Sequence, residues 1–409
     1  MCIAGLPPSD LTIYKMLLTQ CAVCATELGL TSGKKCGRCS TRYCGPECQK
    51  QHWEEGGHDQ LCKKIKKAGG AEQYNANKKY AEAVSVAAEA CADDTKGQTC
   101  YICTQALHWK TKEGLVRMCA CRGTAGVAHV SCLAEQAKIL MDEAEYNNLD
   151  SKVKHERWVR WHTCSLCEQR YHGVVWCALG WACWKLYLGR PETDQFRLCA
   201  MRQLGNGLSA AGHHEDALPV QEVELSTLRR LGTPEEHVLA VQSNLANTYH
   251  KLGRIEALNM YRDVYSGWLK FGGEEHSSAL IAVNNYAASL CSHKRFEEAK
   301  SLLRRTIPVA RLVVGESNKI TLEMRKSYAG SLVINNDATL DDLREAITTL
   351  EELAPTARRV LGGAHPIATE IQLCLQDARA ALRAGEEAAP DDVSSVCKGV
   401  AAMTPPGDA

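Results

Sequence analysis

Cysteine constrains this chain more than any other feature: of 22 cysteines, sixteen precede residue 170 and only two lie between 200 and 380. Most come in pairs a few residues apart, with histidines among them. That pattern suits metal binding in a reducing compartment better than a secreted disulfide framework. Residues 21–62 carry Cys21-x2-Cys24, Cys36-x2-Cys39, Cys44-x3-Cys48 and His58-x3-Cys62. Residues 100–167 carry Cys100-x2-Cys103, Cys119-x-Cys121, His129-x2-Cys132 and Cys164-x2-Cys167. Each set holds eight thiol or imidazole ligands, enough for two tetrahedral zinc ions, so four ions are expected.

The spacings differ in what they imply locally. A Cys-x2-Cys pair suits a tight knuckle turn, whereas Cys44/Cys48 and His58/Cys62, four residues apart, share one face if helical. A segment of this size, rich in Gly, Lys and Gln, cannot bury enough apolar surface to fold alone. Metal must supply the stability, and structural zinc contributes apparent values of roughly 10 to 16 kcal/mol at neutral pH. With protein filling every coordination position, no bound water remains to be activated, and such sites are structural.

The first array, with "QKQHW" running on from Cys48, resembles the MYND-type zinc finger over residues 21–62. The resemblance implies one zinc on Cys21, Cys24, Cys44 and Cys48 and another on Cys36, Cys39, His58 and Cys62. It implies a packing role for His52, and docking of proline-containing peptides or other proteins. MYND fingers also accompany SET-domain methyltransferases, but no SET-like stretch is found here.

The order of ligands in the second array is shared by PHD fingers and the RING-CH fingers of ubiquitin ligases. The Cys119-x-Cys121 pair, with seven residues between it and His129, resembles RING-CH. This resemblance implies a cross-brace, with Cys100, Cys103, His129 and Cys132 on one ion and Cys119, Cys121, Cys164 and Cys167 on the other. A ligase of this type holds a charged ubiquitin-conjugating enzyme beside its substrate, which is catalysis by positioning, so no catalytic side chain is expected. Ile102 sits where such fingers place an apolar contact for that enzyme. Three departures stand against activity: Gln136 where a docking Trp is usual, Glu168 where Pro is usual, and a long 31-residue spacer before Cys164. Trp158 and Trp161 either supply the missing aromatic or pack against the zinc core, and packing is the expectation.

Between the arrays, "NANKKYAEAVSVAAEACADD" lacks Pro and Gly and reads as a connecting helix. Lys63, Lys64, Lys66 and Lys67 are expected to form a solvated helix start. The longest apolar run, Val174 to Trp184, is too short to span a membrane, which takes roughly 18 to 20 residues. Its Trp176, Trp181 and Trp184 predict a helix buried against the finger or the next element. Cys177, Cys183, Cys199, Cys291 and Cys374, with no recurring His partner, are expected in the core.

The second half repeats itself. Ala246, Ala287 and Ala329 recur at intervals of 41 and 42, Gly205 marks a fainter first copy, and Ala217, Ala257, Ala299 and Ala346 mark each second helix. Small residues at a fixed period let paired helices approach closely. The pattern, with "SNLANTYHKLGRIEAL" and "NNYAASLCSHKRFEEAK", resembles kinesin-light-chain-type tetratricopeptide repeats over residues 196–366. The resemblance implies a protein or peptide ligand in a concave groove. Asn244 and Asn285 are candidates to clamp its backbone, or else bond within their own repeat.

The expected fold is mainly α: two small cross-braced zinc modules followed by an α-solenoid of helix-turn-helix repeats. Its parts are an N-terminal segment (1–20), a MYND-like finger (21–62), a helical linker (63–99), a RING-CH-like finger (100–170), an aromatic helix (171–195), helical repeats (196–385) and a disordered tail (386–409). With 48 basic and 48 acidic residues, nothing in the overall charge calls for nucleic acid or a membrane as partner. No signal peptide is found, and the expected location is the cytoplasm or nucleus. The expected function is that of a RING-CH-type ubiquitin ligase or, alternatively, a non-enzymatic zinc-finger and repeat scaffold.

Overall fold

A computed structural model describes residues 21–24, 26, 28, 33–335 and 338–388; the N-terminal segment 1–20 and the tail from 389 lie outside them. Among the described residues the protein is mainly α, with fifteen helices and one two-stranded ribbon. The chain divides into two compact units, the first ending at Phe271 and the second starting at Gly272. No helix among the described residues is long and apolar enough to cross a membrane.

The first unit begins with a small zinc-type module: the antiparallel pair β1 (Lys34–Lys35) and β2 (Arg42–Tyr43), then α1 (Pro46–Glu54) and α2 (His58–Lys67). The lysine run lies in the last turns of α2, not at its start: the four Lys side chains are exposed around the buried Ile65. The linker forms α3 (Ala71–Ala90). The second cysteine region follows and contains α4 (Val130–Tyr146) and α5 (Ser151–Trp158).

The aromatic run forms α6 (Gly173–Tyr187), which packs against both α3 and α7 (Gln195–Ala210). Glycine makes the α6–α7 approach possible. A Cβ on Gly180 would stand 3.0 Å from the Gln203 carbonyl oxygen, and one on Gly207 would stand 2.8 Å from that of Trp176. Around this contact Trp158, Trp161, Trp181, Trp184 and Tyr187 form a buried aromatic core. Trp158 stacks on Phe196 with ring centroids 5.5 Å apart. Trp158 and Trp161, 7% and 1% exposed, are therefore packing residues. Cys177 and Cys183 are buried in the same core, whereas Cys199, Cys291 and Cys374 are only half-buried.

The repeats follow as helix pairs. In the first unit α7 pairs with α8 (His214–Arg230), and α9 (Glu235–Lys251) is followed by α10 (Glu256–Gly272). In the second unit α11 (Ser277–Ser292) pairs with α12 (Phe296–Val313), α13 (Lys319–Val333) with α14 (Leu340–Leu361), and α15 (Pro366–Ala388) packs on α14. The periodic small residues occupy equivalent buried places: Ala217, Ala246, Ala257, Ala287, Ala299, Ala329 and Ala346 are all 0% exposed. Gly205 is the α7 counterpart, its α-carbon faced by Gln221 of α8.

Candidate metal centres

Among the described residues four clusters of candidate ligands assemble, and in each the ligand atoms lie within 4.8 Å of one another. In the first module Cys21, Cys24, Cys44 and Cys48 form one, and Cys36, Cys39, His58 and Cys62 the other. The second module brings together Cys100, Cys103, His129 and Cys132, and separately Cys119, Cys121, Cys164 and Cys167. In both modules the first pair joins the third and the second joins the fourth, so the chain crosses itself between the sites.

Local structure explains why these atoms converge. In the Cys36, Cys100 and Cys164 knuckles the residue after the second Cys takes left-handed backbone: Ser40 at φ 62°, Thr104 at 61° and Glu168 at 58°. Its N–H then donates to the carbonyl of the first Cys, at 2.9, 2.8 and 3.0 Å respectively. Both thiols are thereby turned to one side. Proline fixes φ near −65° and has no N–H, so Glu168 holds a conformation that a proline there could not. Cys44 stands just before α1 and Cys48 in its first turn, so this pair is not helical throughout, whereas α2 presents His58 and Cys62 from one face. In the second module α4 supplies Cys132 in its first turn with His129 as its N-cap residue. Glu113 accepts from the Ser131 N–H at 2.7 Å, an anion at the helix N-terminus that fixes this turn.

The donor sets fit zinc. Zinc–sulfur bonds of ~2.3 Å in a tetrahedron place sulfurs roughly 3.8 Å apart. Cys36 and Cys62 sulfurs stand 3.9 Å apart, those of Cys121 and Cys164 3.7 Å, and those of Cys24 and Cys44 3.4 Å. His58 Nε2 is 3.4 Å from Cys39 Sγ, and His129 Nδ1 is 3.3 Å from Cys103 Sγ. The other nitrogen of His129 reaches the Ala106 carbonyl at 3.4 Å, a contact that sets the ring's tautomer and leaves Nδ1 free to coordinate. Thr26 and Thr41 hydroxyls lie 3.0 and 3.1 Å from Cys24 and Cys39 sulfurs, placed to donate to thiolates.

Electrostatics also favours a cation. The Thr26 hydroxyl holds the Cys24 thiol down at about 6, and hydrogen bonding from Cys119 holds Cys164 down at about 4. Burial pushes Cys62 and Cys121 up to about 12, and burial likewise raises Cys48 and Cys132. Without metal, then, a stabilised thiolate stands among thiols that cannot ionise beside it. A divalent cation removes the conflict.

His52 lies outside the clusters. It is buried, its Nδ1 pairs with the Tyr43 hydroxyl at 3.0 Å, its ring lies 4.8 Å from that of His58, and burial pushes it down to about 4.

Family matches follow the modules. Residues 21–62 match the MYND finger. Residues 100–148 match the RING-variant domain, and residues 237–311 match the tetratricopeptide repeat. The RING-variant match stops before Cys164 and Cys167, whose place beside Cys119 and Cys121 comes from the three-dimensional structure. One curated relative, a clustered mitochondria protein homolog from Debaryomyces hansenii, is 31% identical over 94 residues, 22% of this chain. The chain spans only 7% of that relative's length. Among solved structures, kinesin light chain TPR-like repeats from Podosopora anserina align at 18% identity with a TM-score of 0.36, covering 56% of this chain and 97% of that one. BtubC from P. vanneervenii aligns at 12% identity with a TM-score of 0.34, covering 68% and 94%.

Two groups escaped the sequence reading. Leu166 is the middle apolar residue of the last knuckle, as Ile102 is of the first; the repeated Cys-x-apolar-Cys was the available signal. The Tyr101 hydroxyl and Ser165 Oγ lie 3.0 Å apart, so the two knuckles are neighbours, and Ile102 and Leu166 are 37% and 52% exposed. Gly126 is the second. At φ 74° it packs against the Cys119/Cys121 site, where a Cβ would come within 2.6 Å of Cys121 Cβ and 2.8 Å of its sulfur. Gln136 sits half-buried on α4, and Asn244 and Asn285 half-buried on α9 and α11.

Proposed function

We propose that this protein is a RING-CH-type ubiquitin ligase whose second zinc module recruits a ubiquitin-conjugating enzyme, while its MYND finger and repeats bind protein partners. Zinc at that module's eight clustered residues holds its surface in place and supplies no reacting group. The observation that carries the proposal is the exposed apolar pair Ile102 and Leu166 on neighbouring knuckles, spared from the core although both are aliphatic. Apolar residues left exposed on a zinc-braced loop suit docking of another protein. Asn244 and Asn285 are the backbone clamps of this scheme, each on the first helix of its repeat.

Gln136 favours a second function, a scaffold that binds partners without transferring ubiquitin. An autoubiquitination assay across a panel of conjugating enzymes separates the two. Ligase activity that falls at least roughly tenfold in Ile102→Ala or Leu166→Ala, with zinc content unchanged, supports the first. Silence across the panel with all zinc retained makes the protein a scaffold.

A further inference from the structure

A cavity of about 470 Å³ opens between α5 and α7, at the junction of the second zinc module with the first repeat. It falls in the roughly 300 to 1,000 Å³ range of ligand sites. Lys154, His155 and Trp158, spaced to share one face of α5, form one wall, and Phe196 and Arg202 of α7 face it. Arg170, Trp176, His162 and His237 also line it, and among the described residues no Asp or Glu does. Arg202 is held in place from behind by the buried Glu224, at 2.8 Å, while Glu236 stands 3.8 Å from His237. The site therefore joins cations to an aromatic wall in which Trp158 stacks on Phe196. Two buried atoms of the lining, Trp176 Nε1 and His162 Nδ1, have no hydrogen-bond partner among the described residues.

We propose that this cleft binds an acidic peptide segment, its carboxylates meeting Lys154, His155 and Arg202 while an aromatic or aliphatic side chain enters between Trp158 and Trp176. A lining of cations without carboxylates selects negative charge, and the indoles reward a planar or apolar group beside it. The cations ring one compact cavity on a chain of zero formal net charge. That arrangement suits a short peptide better than a nucleic acid, which needs a basic track along its backbone. The site is separate from the Ile102/Leu166 surface and stands whether or not the protein transfers ubiquitin.

The test uses the full zinc-loaded chain and a fluorescein-labelled peptide of about twelve residues, built from Glu and Asp around one central Phe. Fluorescence anisotropy should show saturable binding, weakened roughly tenfold by Lys154→Glu combined with His155→Glu. Changing the peptide's Phe to Ala should weaken it to a similar degree, and replacing its acids by Lys should abolish it. Zinc content and circular dichroism of the double variant should match the parent. Four results overturn the proposal: no saturable binding, equal binding by the double variant, equal binding of the Ala peptide, or tighter binding of a single-stranded oligonucleotide.

Discussion

The two zinc modules use the same cross-braced plan but bury their ligands in different surroundings. Among the described residues around the first, four of the nine in the buried core are themselves candidate ligands, the rest being mainly small or single apolar side chains. Around the second, only three of sixteen are, and Val84 and Ala87 of α3, Leu133 of α4 and Val175, Ala178 and Leu179 of α6 fill the core. The first has little besides metal to hold it folded. The second is built into a helical core that metal braces but does not create. Similar ligand geometry thus does not imply similar dependence on zinc.

Removing zinc should give the largest effect. Chelation removes binding energy on the order of 10 kcal/mol per site, so amide exchange should become rapid throughout 33–67 while α6 and α7 stay protected. Opening of both regions together would mean that the helical core also depends on metal. Trp184→Ala attacks that helical core instead. It should cost about 3 to 5 kcal/mol in denaturant unfolding of the first unit and leave zinc on the first module.

Gly126→Ala is a narrower probe, since it strains a left-handed residue and presses a methyl group against the Cys121 sulfur. Strain of this kind costs about 1 to 3 kcal/mol, and it should weaken zinc at the Cys119/Cys121/Cys164/Cys167 site alone, read by competition with a chromogenic chelator. Unchanged affinity at that site would show that the backbone yields without cost.

The smallest effect is a pH dependence. Cys62 and Cys121, held up at about 12 by burial, carry protons at neutral pH when no metal is bound, and zinc must displace them. Protons are released on binding, so zinc affinity rises with pH and falls on acidification, by roughly tenfold per pH unit for each proton released. Calorimetry in two buffers of different ionisation enthalpy measures that release directly; a count of zero would mean the thiols are already ionised.

How much of this was legible beforehand depended on whether a feature is local. The repeats showed through because a small residue is needed wherever paired helices touch, and Ala246, Ala287 and Ala329 recur for that reason. The aromatic helix was legible from Trp181 and Trp184, whose helical spacing marks a buried face. Which cysteine pairs meet is not local. Spacing leaves the pairing open, and only resemblance to cross-braced fingers suggested it. Gly126 was hidden in "RGTAGVA" because its role is a distance to a sulfur. The cationic cleft was invisible because its walls, α5 and α7, lie about forty residues apart in sequence. Leu166 drew no notice since exposure, not identity, distinguishes it from a core leucine.

Counting zinc in chosen variants by native mass spectrometry tests the cross-brace most directly. The parent should hold four ions per chain. Cys119→Ser combined with Cys167→Ser removes two ligands from one site and should leave three ions. Cys103→Ser combined with Cys119→Ser, which lie in different sites, should leave two. A parent holding only two ions, or two ions lost when Cys119 and Cys167 are replaced together, would contradict it.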